Sequence, residues 1–143
     1  MPPTLMQVLR LSKQAAHQII DHARDDAPNE CCGILAGIDD SVSQVYRATN
    51  VDRSPVQYTI DPQDMIRIMG EADRAGQAVL GFYHSHTFSE AYPSVTDVKR
   101  VPPSDLFDYL YVIVSLAQRD RPVIRAFRIA DSQIDEVPVE IGG

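Results

Sequence analysis

Residues 83 to 97 read YHSHTFSEAYPSVTD. His84 and His86 stand at i and i+2, and side chains two apart on a strand share one face. Two imidazoles so placed can hold one ion at about 2.0–2.1 Å each, as zinc prefers. Asp97 lies eleven residues beyond His86 and adds a third ligand if a short helix from Ser94 returns it to the strand end. Two histidines and one carboxylate leave a fourth position open to water, which is the layout of a catalytic rather than a structural zinc site. Zinc lowers the pKa of such a water to about 7, and a second group must then take the proton. Glu30 is the candidate base, because it opens the apolar stretch ECCGILA and would face the site if that stretch pairs with GFYHSH. The Ser94 hydroxyl is a candidate donor to an oxyanion on the attacked carbonyl.

Each residue also has a plainer reading. The histidines can be polar residues where a strand leaves its sheet. Ser94 and Asp97 fit S-x-x-D, a capping-box-like helix start whose aspartate suits the helix dipole. Glu30 taken alone is a solvated strand end. The combined pattern favours chemistry, since each plain reading would have to hold independently.

The elements that must position these residues follow from periodicity and turn chemistry. Leu5 to Leu11 reads as a first strand, and Ser12 as an N-cap. The helix SKQAAHQIIDHARDD places Ala16, Ile19, Ile20 and Ala23 on one face. ECCGILAGI and SVSQVYRA read as strands around the turn DDS, with Val42, Gln44 and Tyr46 on one face and Val45 on the other. A strand is expected at Gln57 to Ile60. Asp61-Pro62 starts a second helix whose apolar face is Met65, Ile66, Ile68 and Met69, and Gly76 ends it. QAVLGFYHSH, LYVIVSL, PVIRAFRI and SQIDEVPVEI complete the strands, with a short helix at PSVTDVKR. That order predicts a mixed α/β sheet packed by helices.

A chain of 143 residues suits one domain, spanning 1–143. The 13 basic and 20 acidic residues give a net charge of −7. That field opposes phosphate backbones, so no nucleic-acid partner is expected. No apolar run approaches the roughly 20 residues of a membrane span, so no membrane partner is expected either. The N-terminal residues show no basic start followed by an apolar block, which points to a cytoplasmic location. Cys31 and Cys32 are adjacent, a spacing that strains a disulfide, and both read as reduced thiols. Strand alternation turns Cys31 away from the face of Glu30 and Cys32 towards it. Both read as small buried hydrophobes rather than metal ligands. His17 and His22 have neither i+3 nor i+4 spacing, and both read as surface residues.

His84-Ser85-His86, seven intervening residues, then Ser94-x-x-Asp97 resembles the H-x-H-x(7)-S-x-x-D pattern of the JAMM, or MPN-plus, metallopeptidases. PNECCGILAG resembles their glutamate-bearing strand, and the likeness extends over nearly the whole chain, most to the small bacterial members. The resemblance implies a cytidine-deaminase-like α/β fold, a three-layer sandwich with a mixed sheet flanked by helices. It implies one zinc held by His84, His86 and Asp97, with Glu30 as general acid/base and Ser94 holding the water or oxyanion. It also implies a substrate: the bond after the C-terminal Gly-Gly of a ubiquitin-like sulfur-carrier protein. The short chain favours removal of cysteine or another small adduct from such a carrier. Ser54, Pro55 and Tyr58 resemble a family loop, which makes them candidates to line the substrate groove, while Ser54-Pro55 taken alone reads as an ordinary turn.

Two other functions compete. A non-catalytic MPN-type interaction module would lack the metal residues, and all five functional positions are present here. A zinc deaminase needs H-x-E followed by P-C-x-x-C, and this sequence has no C-x-x-C.

Overall fold

The computed structural model describes residues 6–101 and 108–143. The elements are β1 (Leu9–Leu11), α1 (Lys13–Asp26), β2 (Cys32–Ile38), β3 (Ser41–Ala48), α2 (Pro62–Arg74), β4 (Ala78–His86), α3 (Val95–Lys99), β5 (Leu110–Ser115), β6 (Val123–Ala130), β7 (Gln133–Val137) and β8 (Val139–Ile141). The strands form one mixed sheet in the order β7-β6-β5-β4-β2-β3-β1-β8. β4 and β5 are parallel, as are β1 with β3 and β1 with β8, while the remaining pairs are antiparallel. β7 and β8 stand at opposite ends of that order, yet Pro138 alone joins them. The sheet therefore curls until its two edges meet.

Its concave and convex faces carry separate cores. α1 lays Ala15, Ile19 and Ala23 against Leu35, Tyr83, Val112 and Val114. On the opposite face α2 sets Ile68 and Met65 against Cys32, Ile34 and Phe82. α3 adds Val98 to a third cluster built on Ile113 and Phe127. This is the three-layer arrangement expected. A fully buried side chain such as Ile19 contributes about 1.5–3 kcal/mol through burial.

The helix starts follow local chemistry. Ser12 Oγ accepts from the Ala15 N–H at 3.0 Å, and Asp61 Oδ1 accepts from the Gln63 N–H at 2.8 Å with Pro62 at N1. Gly76, at φ 71°, closes α2 in the left-handed region.

Four expectations need correction. β1 begins at Leu9 rather than Leu5, a residue outside those described. The Gln57–Ile60 segment is no strand and makes only a single bridge, between Asn50 and Ile60. Val42 shares the α1 face with Val45, because β3 steps from Gln44 to Val42 while β2 steps only from Ala36 to Gly37. The extra residue, Ser43, is a bulge that reverses the alternation. Ile66 is 75% exposed. The buried stripe of α2 runs through Met65, Ile68 and Ala72 at three- and four-residue spacing, and Ile66 falls outside it. Among the described residues no helix is long and apolar enough to cross a membrane.

Candidate active site

β4 carries His84 and His86 to its C-terminal end, beside the N-terminal end of β2. The β2–β4 register pairs Cys32 with His84. The Ser85 N–H donates to the Cys31 carbonyl at 3.2 Å, and the Cys31 N–H donates to Ser85 Oγ at 2.7 Å. One more step along this antiparallel ladder sets Glu30 opposite His86. Glu30, Cys32, His84 and His86 thus share the face of α2 and α3. Cys31 faces the α1 core instead, as alternation predicts. Both cysteines are free and buried, and burial pushes both thiols up, Cys31 to about 12.

α3 returns the third residue. Ser94 is its N-cap, and Ser94 Oγ accepts from the Asp97 N–H at 3.0 Å while the Ser94 N–H donates to Asp97 Oδ2 at 2.9 Å. The capping-box reading and the metal reading therefore describe one object. The cap fixes the carboxylate that meets the histidines.

Three ligand atoms converge. His84 Nε2 lies 3.2 Å from His86 Nε2, and each lies 3.1 Å from Asp97 Oδ2. A tetrahedral zinc with bonds of 2.0–2.1 Å separates its ligands by about 3.3–3.4 Å. The triangle matches that edge closely. The His86 Nδ1–H donates to the Glu90 carbonyl at 2.8 Å, which leaves Nε2 of a neutral ring as a lone pair aimed inward. With His86 neutral and its Nδ1–H on the Glu90 carbonyl, and Asp97 ionised, the His86 Nε2–Asp97 Oδ2 edge of 3.1 Å is a contact between lone pairs. A cation removes that conflict, so the donor set fits a metal ion. Among the described residues this is the cluster of three such groups whose ligand atoms all lie within 4.8 Å.

The ionisable groups respond to this crowding. Burial opposes charge on Asp97, but hydrogen bonds from His84 and His86 overcome it and hold the carboxyl far below the carboxylate range. Burial lowers His84 despite Asp97. Burial also opposes charge on His86, yet its bonds to Asp97 and Glu90 win and raise it. Of the two rings, His86 is therefore the one on which a proton is favoured, and a metal ion at this site would compete with that proton.

Glu30 is 4% exposed, and its Oε1 is buried without a hydrogen-bond partner among the described residues. Burial pushes its carboxyl up to about 8, with the Asp97 charge adding to the effect and His86 and Arg100 opposing it. An unpartnered buried carboxyl costs stability, and this one lies within electrostatic reach of His86 and Asp97. Its backbone is tied down on both sides: the Glu30 N–H donates to the Ser54 carbonyl at 2.8 Å, and Asn50 Nδ2 donates to the Glu30 carbonyl at 3.0 Å.

Two site features had no signal in the motif. Asn50, 6% exposed, organises the loop between β3 and α2: its side chain bonds the carbonyls of Glu30 and Gln57 and the N–H groups of Asp52 and Thr59. Tyr58 stacks its ring on His84, with centroids 4.5 Å apart and planes at 23°. In the motif loop Phe88 is exposed, whereas Tyr92 sets its ring edge-on to Phe127.

His22 is buried, not a surface residue. It follows Ile19 by three positions and so lies on the core stripe of α1. Its ring meets the Tyr83 hydroxyl at 2.7 Å through Nδ1 and Asp26 Oδ2 at 3.3 Å through Nε2.

A mixed sheet between helical layers, with two histidines, a capped aspartate and a buried glutamate at one end of its central strands, defines an α/β domain of the JAB/MPN class. The chain belongs to the JAMM/MPN family: residues 12–130 match the family of prokaryotic homologs of the JAB domain. It is 36% identical over 136 residues to the CysO-cysteine peptidase of Mycobacterium tuberculosis, covering 94% of this chain and 91% of that protein. It is 38% identical over 114 residues to a desampylase of Haloferax volcanii, covering 75% of this chain and 80% of that protein. The solution structure of DSY2949 from Desulfitobacterium hafniense superposes with a TM-score of 0.84 at 33% identity, covering 93% of this chain and 92% of the other.

Proposed function

We propose that the chain is a zinc-dependent peptidase that cleaves after the C-terminal Gly-Gly of a ubiquitin-like sulfur-carrier protein, releasing cysteine or a similar small adduct. The observation that carries this reading is the ligand triangle with edges of 3.1–3.2 Å next to a buried, unpartnered carboxyl. Similarity to a CysO-cysteine peptidase over 94% of the chain supports the substrate.

His84, His86 and Asp97 would hold the zinc. When bound there, zinc supplies a Lewis acid that polarises a carbonyl and makes water nucleophilic near neutral pH. Glu30 takes a proton from the attacking water on a carboxylate oxygen and delivers it to the nitrogen of the leaving amine. The positive charge of a bound cation favours the ionised carboxylate that this first transfer needs. Ser94 keeps its backbone and Oγ lone pair in the cap, so its hydroxyl proton is free to donate to the oxyanion of the attacked carbonyl. Asn50 and Ser54 hold the Glu30 backbone while the proton moves. A Gly-Gly tail suits such a site, since residues without side chains lie extended and close to a strand backbone. A cytoplasmic location suits two free, adjacent cysteines.

The test is a carrier from the same cell, prepared with cysteine on its C-terminal Gly-Gly and incubated with zinc-loaded protein. Mass spectrometry is expected to show loss of the one cysteine and a carrier ending in Gly-Gly. Cleavage of unrelated peptides with the carrier left intact would overturn the substrate assignment.

A further inference from the structure

The two histidines of the triangle are oriented by different means. His86 follows the usual arrangement, in which the ring nitrogen away from the metal donates to a carbonyl or carboxylate. Its Nδ1–H meets the Glu90 carbonyl at 2.8 Å. His84 has no such bond: its Nδ1 is buried and without a hydrogen-bond partner among the described residues. Apart from the contacts of Nε2 inside the triangle, no hydrogen bond opposes turning of the ring about the Cβ–Cγ bond. What lies against that ring is Tyr58, nearly parallel at 4.5 Å between centroids.

Tyr58 is itself held from several directions. Asn50 takes both of its neighbours, donating to the Gln57 carbonyl at 3.1 Å and accepting from the Thr59 N–H at 3.1 Å. Arg100, just beyond the last turn of α3, donates to the Tyr58 carbonyl and, at 3.0 Å, to Thr59 Oγ1. It also pairs with Asp52 at 3.4 Å. The ring packs against the buried cluster of Cys32, Ile34, Ala48 and Ile68. The helix that presents Asp97 thus also clamps, through Arg100, the loop that braces His84.

We infer that Tyr58 is a positioning residue for His84, its stacked ring doing for that ligand what the Glu90 carbonyl does for His86. The ring face is the active part, and the hydroxyl is dispensable. Arg100 acts one step further out, by holding the Tyr58 backbone in place. This inference rests on His84 being a metal ligand, and the test separates the two claims.

Zinc affinity is measured by competition with a chromophoric chelator, and geometry by the visible spectrum of the cobalt-substituted protein. Neither reads turnover. Tyr58→Phe is expected to bind zinc within about twofold of wild type and to keep its cobalt spectrum. Tyr58→Leu, similar in bulk and apolar character, is expected to bind about tenfold more weakly, at the low end of the range for outer-shell partners of a metal ligand, with an altered cobalt spectrum. Arg100→Ala is expected to weaken zinc by a smaller factor, and to add nothing in the Tyr58→Leu background. Wild-type affinity in Tyr58→Leu, or equal losses in Tyr58→Phe and Tyr58→Leu, would overturn the inference. Should Tyr58→Leu fail to fold, wild-type zinc affinity and cobalt spectrum in Arg100→Ala would overturn it instead. A wild-type protein that binds no zinc would bring down the metal assignment itself, a result distinct from these.

Discussion

The sheet buries a histidine–aspartate assembly on each face, and the two differ in how fully their polar atoms are satisfied. On the α1 face, His22 links the Tyr83 hydroxyl at Nδ1 to Asp26 at Nε2, and each ring nitrogen has one partner. Burial lowers the pKa of this ring despite Asp26, so it stays neutral, accepting from the Tyr83 O–H and donating to the carboxylate. Gly33 makes room for the tyrosine, since a Cβ there would lie 2.2 Å from the Tyr83 ring. On the opposite face, three ligand atoms crowd within 3.1–3.2 Å, while His84 Nδ1 and Glu30 Oε1 have no hydrogen-bond partner. Both assemblies combine buried histidine with aspartate, Asp97 being nearly buried and Asp26 37% exposed. A satisfied network stabilises and stays inert, whereas an unsatisfied one holds electrostatic conflict that the proposed cation and proton transfer would relieve. Burial of a histidine therefore does not by itself mark function; unpaired atoms beside it do.

The largest effect expected from breaking this contrast is on turnover. Glu30→Gln keeps shape and burial but cannot accept the proton. kcat is expected to fall by about 10²–10⁴-fold, the usual contribution of a positioned general base. Zinc content is expected to stay near that of wild type, because Glu30 is not among the three proposed ligands. Steady-state kinetics together with metal analysis checks this, and near-wild-type turnover would remove Glu30 from the chemistry.

The same carboxyl gives the metal-free protein a pH-dependent stability. Its pKa rises from 4.5 unfolded to about 8 folded. Between these values the folded state holds a proton that the unfolded state has released, so stability falls as pH rises through the window. The Glu30 contribution is fully present below about 4.5 and lost on passing 8. Its slope reaches at most ~1.4 kcal/mol per pH unit. Urea titrations from pH 5 to 8 in the presence of a chelator are expected to show this decline in wild type, with a flatter line in Glu30→Gln. Parallel lines would show that the carboxyl is not held protonated. Added zinc is expected to flatten the wild-type line, since the cation favours the charged form.

What the sequence revealed and what it concealed divides along lines of range. His84, His86, Ser94 and Asp97 lie within one strand and one helix cap, where local periodicity and capping chemistry govern side-chain direction. The place of Glu30 followed from one assumption about strand pairing, which the β2–β4 register bears out. The face of Val42 was hidden by a single inserted residue, Ser43, since alternation carries no mark of a bulge. Asn50 and Arg100 were hidden for another reason: they act on partners 20 and 41–48 positions away, through a loop without periodicity. The burial of His22 was within reach, because its three-residue spacing from Ile19 places it on the core stripe.

The smallest effect, and the one that tests the inert half of the comparison, is expected at Tyr83. Tyr83→Phe removes one buried hydroxyl and leaves His22 Nδ1 without its donor at 2.7 Å. An orphaned buried acceptor costs about 1–3 kcal/mol, read as a lower urea midpoint with an unchanged slope. Tyr83 precedes His84 in β4, so proximity in sequence alone would place it in the site. Strand alternation points it to the other face, and the α1 core takes its ring. Zinc affinity and kcat are accordingly expected to match wild type. A variant that loses metal in proportion to its lost stability would show that the two faces are energetically joined through β4, and the separation of a structural from a chemical histidine site would fail.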